Sequence, residues 1–211
     1  MSPSSYLAAH LRGSTGTFWM SIDESGDTDG ALLEAVARGD VQCFERFYAR
    51  FERRMYQYAL NFVRDSSSAE EIVVDSMLAV WNGAVGYHQS AQASTWALGI
   101  VRHKALDAVR RQQRHRAQVP LDLAAEVADS SRGPYDSAND AMLGNVMHKA
   151  MHSLSEDHRE ILFLTFYEDL SYSEISELLS IPENTAKTRA HYAKLKLREH
   201  LTRLNPEGAL P

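Results

Sequence analysis

Two groups of basic side chains stand out in a chain of 211 residues that is acidic overall, with 22 Lys and Arg against 28 Asp and Glu and a formal charge of -6. Arg102, Lys104, Arg110, Arg111, Arg114 and Arg116 form the first group, and only Asp107 dilutes it. Lys187, Arg189, Lys194, Lys196, Arg198 and Arg203 form the second, diluted only by Glu199. A chain with this balance is not a general polyanion binder, so any contact with nucleic acid must come from such concentrated patches. Either patch taken alone is equally what a solvated helix face looks like. His148 and His152 stand four apart, a spacing that can hold a metal on one helix. A metal needs further ligands and no Cys lies near, so they read as surface histidines and no metal or cofactor is expected. The chain has no nucleophile elbow, no phosphate-binding glycine loop and no metalloprotease helix, so it does not read as an enzyme. The lone Cys43 stands among Val41, Phe44 and Phe47 and reads as a packing residue.

These side chains need helices to position them, and the pattern supplies them. Residues 1 to 29 are rich in Ser, Gly, Thr and Asp without a period, and are expected to be a disordered extension; Met20 is an alternative start. A short helix from Ala31 should stop at Gly39, with Asp40 capping the next. Phe44, Phe47, Tyr48, Phe51, Met55, Tyr58 and Phe62 recur at three and four residues, which predicts a long helix with one wide apolar face. Ser67 and Ser68 each precede a Glu by three, a capping pattern for a helix running to about Trp81. A loop follows to Gln92, and Ser94 or Thr95 should cap a helix toward Arg116 that buries Leu98, Val101, Ala105 and Val109.

From Ala117 to Asp140 the Pro, Gly, Ser and Asp content predicts a flexible linker and a domain boundary. Beyond it, Met142, Val146, Ala150 and Leu154 share one face, and Ser155 opens a helix bearing Ile161, Leu162, Leu164 and Phe166. Ser171 with Glu174 makes a capping box for a short helix that stops at Ser180-Ile181-Pro182, with Pro182 in the first turn of a basic helix. That is a helix-turn-helix. The expected fold is all-α: a first domain over 30 to 116, a linker over 117 to 138, and a four-helix second domain with a helix-turn-helix over 139 to 205. No run of about 18 apolar residues and no basic, apolar leader is present, so membrane insertion is not expected and the cytoplasm is.

Three stretches together resemble the extracytoplasmic-function branch of the sigma-70 family. Ala69-Glu-Glu-Ile-Val-Val-Asp75-Ser-Met-Leu-Ala-Val-Trp81 is similar to its region 2.2, and Thr95-Trp-Ala-Leu-Gly-Ile-Val-Arg-His-Lys-Ala-Leu-Asp-Ala-Val-Arg-Arg111 to regions 2.3 and 2.4. Leu170-Ser-Tyr-Ser-Glu-Ile-Ser-Glu-Leu-Leu-Ser-Ile-Pro-Glu-Asn-Thr-Ala-Lys-Thr-Arg189 resembles region 4.2. The chain departs from the family at Val74, usually Gln, at Ala93, usually aromatic, at His103, often Asn, and at Asn184, where Gly commonly precedes the Thr.

The resemblance implies an RNA polymerase subunit that selects promoters. Asp75, and with it Glu71, would meet basic residues on the clamp helices of the polymerase's largest subunit; the second domain would meet the flap of the second largest. Tyr87, His88 and Gln89 would receive a splayed base of the minus-10 element, His88 and Gln89 first, because the counterpart of Tyr87 packs. Arg102, His103, Lys104, Arg110, Arg111 and Arg114 would lie along the same DNA, the basic ones on phosphates. At the minus-35 element Lys187, Thr188 and His191 would read bases beside Thr185, while Arg189, Lys194 and Lys196 grip the backbone or, for Arg189, brace the fold. An anti-sigma factor is expected to cover these surfaces. Two rivals stand beside this reading: a helix-turn-helix regulator that acts without replacing sigma, and an interaction protein that binds polymerase or an antagonist but never promoter DNA.

Overall fold

The computed structural model describes residues 27–88, 92–118 and 141–204, without the side chains of 116–118 and 141–146. The described residues form helices and one short 3-10 turn, in two compact units. Most of the expected extension and linker lies outside the described residues.

The first unit holds α1 (Asp29–Ala37), α2 (Val41–Val63), α3 (Ser66–Gly83), a 3-10 turn (Ala84–Gly86) and α4 (Ala93–Gln118). Thr28 caps α1 by accepting from the Ala31 amide at 3.2 Å, so the first helix begins before Ala31. Asp27 and Asp29 pair with Arg46 and Arg50 of α2, which ties this end of the expected extension to the unit. Gly39 takes φ +88, a left-handed conformation that costs glycine little, and Asp40 accepts from the Cys43 amide at 3.0 Å to open α2.

All seven residues of the apolar stripe on α2 are buried, and Tyr56 with them. Phe47 stacks on Phe51 at 4.3 Å, and Phe44 meets the edge of Trp81 from α3 at 5.2 Å. Helix α2 packs on both α1 and α4, and α4 adds Leu98, Val101 and Ala105 to the core. Val109, expected with them, is only half-buried, because the packed part of α4 ends near Ala105.

Cys43 is buried, and Arg46 donates to its sulfur at 3.0 Å. Burial pushes its thiol up, which keeps it protonated and unreactive. Iodoacetamide should therefore label the folded chain at least about 10-fold more slowly than the chain in denaturant, as counted by mass spectrometry.

Two caps differ from expectation. Ser67 and Ser68 lie inside α3, which starts at Ser66 after Arg64 turns through φ 56, and α3 runs past Trp81 to Gly83. Ser94 and Thr95 are buried in the first turn of α4 rather than capping it, and the Gln92 carbonyl accepts from Trp96 instead.

The second unit holds α5 (Ala141–His152), α6 (Glu156–Phe166), α7 (Tyr172–Leu179) and α8 (Glu183–Leu204), with α5, α6 and α7 all packed on α8. Ser155 caps α6, which buries Ile161, Leu162, Phe163 and Leu164. Phe166, expected in that core, is 65% exposed because α6 ends there and turns its last residue outward. Arg159 is buried in this unit, where Nη1 donates to the Leu154 carbonyl at 3.4 Å and burial pulls the guanidinium down to about 10.

The capping box on α7 is complete: the Glu174 amide donates to Ser171 Oγ at 3.3 Å, and the Ser171 amide donates to Glu174 Oε2 at 2.8 Å. Ser171→Ala should cost about 1 kcal/mol in urea unfolding, since it leaves a helix donor without its partner. Ser180, left-handed at φ 55, ends α7. Pro182 precedes α8 rather than sitting in it, its carbonyl accepting from Thr185 and Ala186.

Candidate functional site

In the first unit, α3 turns Ile72, Ser76 and Val80 inward and leaves Glu71 and Asp75 exposed one turn apart, as the spacing predicts. The two acids do not stand alone. A cleft of about 280 Å³ runs between α3 and α4, lined by Ser68, Glu71, Ile72, Asp75, Lys104, Ala108 and Arg111. Residues assigned from sequence to different ligands thus border one groove, acids on one wall and cations on the other.

Along α4, Arg102 and Lys104 are half-buried, while His103, Arg110, Arg111 and Arg114 are exposed. His103 donates Nδ1 to the Gly99 carbonyl at 2.7 Å, which fixes the ring against its own helix. Arg110 pairs with Asp107 at 3.3 Å, an exposed bridge too weak to withhold it from a phosphate.

Tyr87 follows the 3-10 turn and lies against Trp96, ring centroids 5.4 Å apart, half-buried. It is anchored to the domain, as the family comparison of its position implied. His88 is exposed beside it, and Gln89 lies outside the described residues.

In the second unit the three alanines of α8, Ala186, Ala190 and Ala193, are fully buried. Their small side chains bring the helix close to α6 and α7 and turn the opposite face to solvent. Thr188 and His191 lie on that face, with Thr185, Lys187 and Lys194 along its flanks, and all five are exposed. Lys187 pairs with Glu183 at 2.7 Å, and Lys194 sits 5.1 Å over the Phe166 ring. Arg189 points another way: it is half-buried and reaches Asp157 of α6 at 3.1 Å, which braces the helix-turn-helix.

Two exposed residues beside these have no site role from sequence, Asn184, noted only as a departure from the family, and Tyr192. Tyr192 is 56% exposed and meets His191 edge-on at 5.6 Å. Their distance in register from the buried alanines was the available signal.

His148 and His152 bring their rings to 4.1 Å on α5. Among the described residues no group of three or more potential metal ligands gathers, and no helix is long and apolar enough to cross a membrane.

Comparison with known proteins matches residues 47–115 to sigma-70 region 2 and residues 145–197 to sigma-70 region 4. Over 182 residues the chain is 30% identical to the ECF RNA polymerase sigma factor SigK of Mycolicibacterium vanbaalenii, covering 81% of this chain and 88% of that protein. Over 177 residues it is 31% identical to the RNA polymerase sigma factor CarQ of Myxococcus xanthus, covering 84% and 99%. Its fold is similar to the sigma factor RpoE, solved in complex with the anti-sigma factor NepR from Bartonella quintana, at TM-score 0.62 and 20% identity over 75% of this chain and 96% of that one. It is similar also to CnrH, solved with the cytosolic domain of CnrY, at TM-score 0.63 and 20% identity over 84% and 99%. With the helices of region 2 and the helix-turn-helix of region 4 both present on one chain, the protein belongs to the ECF branch of the sigma-70 family of RNA polymerase sigma factors.

Proposed function

We propose that the chain binds core RNA polymerase through the outer face of α3, presents α4 and the segment after Tyr87 to the minus-10 element, and presents α8 to the minus-35 element. The observation that carries this reading is the pairing of two outward polar surfaces on one chain, Glu71 and Asp75 on α3 and the face opposite the buried alanines on α8. The acids give orientation on a basic partner more than raw affinity. The exposed cations of α4 suit phosphates, and His88 is placed to meet an unstacked base while Tyr87 serves as its anchor.

Such a protein works by positioning other molecules, with no bond-breaking chemistry of its own and no cofactor. It acts in the cytoplasm, where polymerase and promoters are. Its antagonist is an anti-sigma factor that covers the α3 and α8 faces; the solved complex of RpoE with the anti-sigma factor NepR supports a partner of this kind. A sigma factor gains promoter affinity from polymerase, whereas a regulator acting alone has it already. Mixing the chain with purified core polymerase should give a stable complex on gel filtration. A chain that stays separate from polymerase yet binds promoter duplex tightly would support the regulator instead.

A further inference from the structure

Helix α8 aims one residue type at its target that has not been assigned a role. Successive residues of a helix are about 100° apart, so Asn184, Thr188 and His191 lie along one line, opposite the buried line of Ala186, Ala190 and Ala193. Asn184 is the second residue of the helix, and it is the N-terminal part of a recognition helix that approaches base edges. Its backbone carbonyl accepts from the Thr188 hydroxyl at 2.8 Å. Its side-chain amide makes no hydrogen bond among the described residues and is exposed. Neighbouring groups are already engaged. The Thr188 hydroxyl is spent on that carbonyl, leaving its methyl as the group for a base, and Lys187 leans to Glu183.

We infer that Asn184 is a specificity-determining residue that selects adenine in the upstream promoter element. A carboxamide offers one acceptor and one donor side by side, which matches N6–H and N7 on the major-groove edge of adenine and no other base. The assignment rests on the reading of α8 as the minus-35 helix and adds to it the base that one position demands.

The test uses the full chain bound to core polymerase. Holoenzyme carrying the wild-type chain or Asn184→Ala initiates on duplex promoters whose upstream element is randomised, and the templates that yield transcript are sequenced. The wild type should enrich adenine by about 10-fold at one position, as a bidentate contact of this kind does, and Asn184→Ala should lose that enrichment while keeping the others. Asn184→Asp, the same shape without the donor, should lose it too. Placing 7-deazaadenine, which lacks N7, at that position should reduce wild-type output and leave Asn184→Ala output unchanged.

Three results overturn the assignment while the function stands: initiation by Asn184→Ala with the same base preferences, an equal loss at every position, or an equal penalty from 7-deazaadenine in both proteins. Absence of initiation by the wild type on every template overturns the function itself, and the assignment with it.

Discussion

Asp75→Arg is expected to lower the affinity of the chain for core polymerase by about 10- to 100-fold, because a like charge set against a basic surface costs several kcal/mol and is not merely a contact removed. The side chain is exposed on α3, while Ala69, Ile72, Val73, Ser76, Met77 and Val80 hold the helix to the core, so the substitution disturbs no packing. It places a third cation in the cleft beside Lys104 and Arg111, which raises local repulsion without burying charge. Circular dichroism and the urea midpoint should therefore stay close to wild type. Asp75→Asn removes attraction without adding repulsion and should fall between the two. A titration of core with fluorescently labelled chain reads the difference, and unchanged affinity for the Arg variant would refute the contact.

Replacing Arg110, Arg111 and Arg114 together by Ala should weaken promoter binding by the holoenzyme most at low salt. Each neutralised phosphate contributes about -0.9 to the slope of log K against log salt on duplex DNA, so three contacts account for roughly -2.7. The ratio of wild-type to triple-variant affinity should then shrink about 40-fold between 50 and 200 mM salt. All three guanidinium groups are exposed, and the one ion pair they make among the described residues, from Arg110 to Asp107, is a weak surface bridge. Stability should be unaffected. A ratio that holds constant across the salt range would mean that these side chains do not meet phosphate.

The parts of the fold that could be read from sequence were those set by a repeated physical constraint. Seven apolar residues on α2 recur at helical spacing, and all seven are buried, because one face of a long helix must be covered. The capping box at Ser171 and Glu174 was equally legible, since two side chains must satisfy two specific amides. Where several residues could satisfy the same need, the sequence did not choose. Three serines stand in a row at the start of α3, and the left-handed turn at Arg64 sets the helix going at the first of them. Phe166 fits the helical period of its neighbours but falls at the end of α6, where the helix no longer faces the core.

The candidate site divides in the same way. Asp75 could be placed outward because Ile72, Ser76 and Val80 define the opposite face. The shared groove of Asp75 with Lys104 and Arg111 could not be foreseen, since it depends on how α3 lies against α4 rather than on spacing within either. Arg189 shows the limit most clearly. In sequence it stands between gripping the backbone and bracing the fold, and it is the ion pair with Asp157 at 3.1 Å, a contact between helices, that favours the brace.

The most direct test of the whole account is run-off transcription with purified core polymerase, this chain and a promoter library. Initiation should require core and chain together, with free chain binding the same duplexes only weakly. A folded chain that gives no transcript with core, yet binds promoter duplex tightly by itself, would contradict the account.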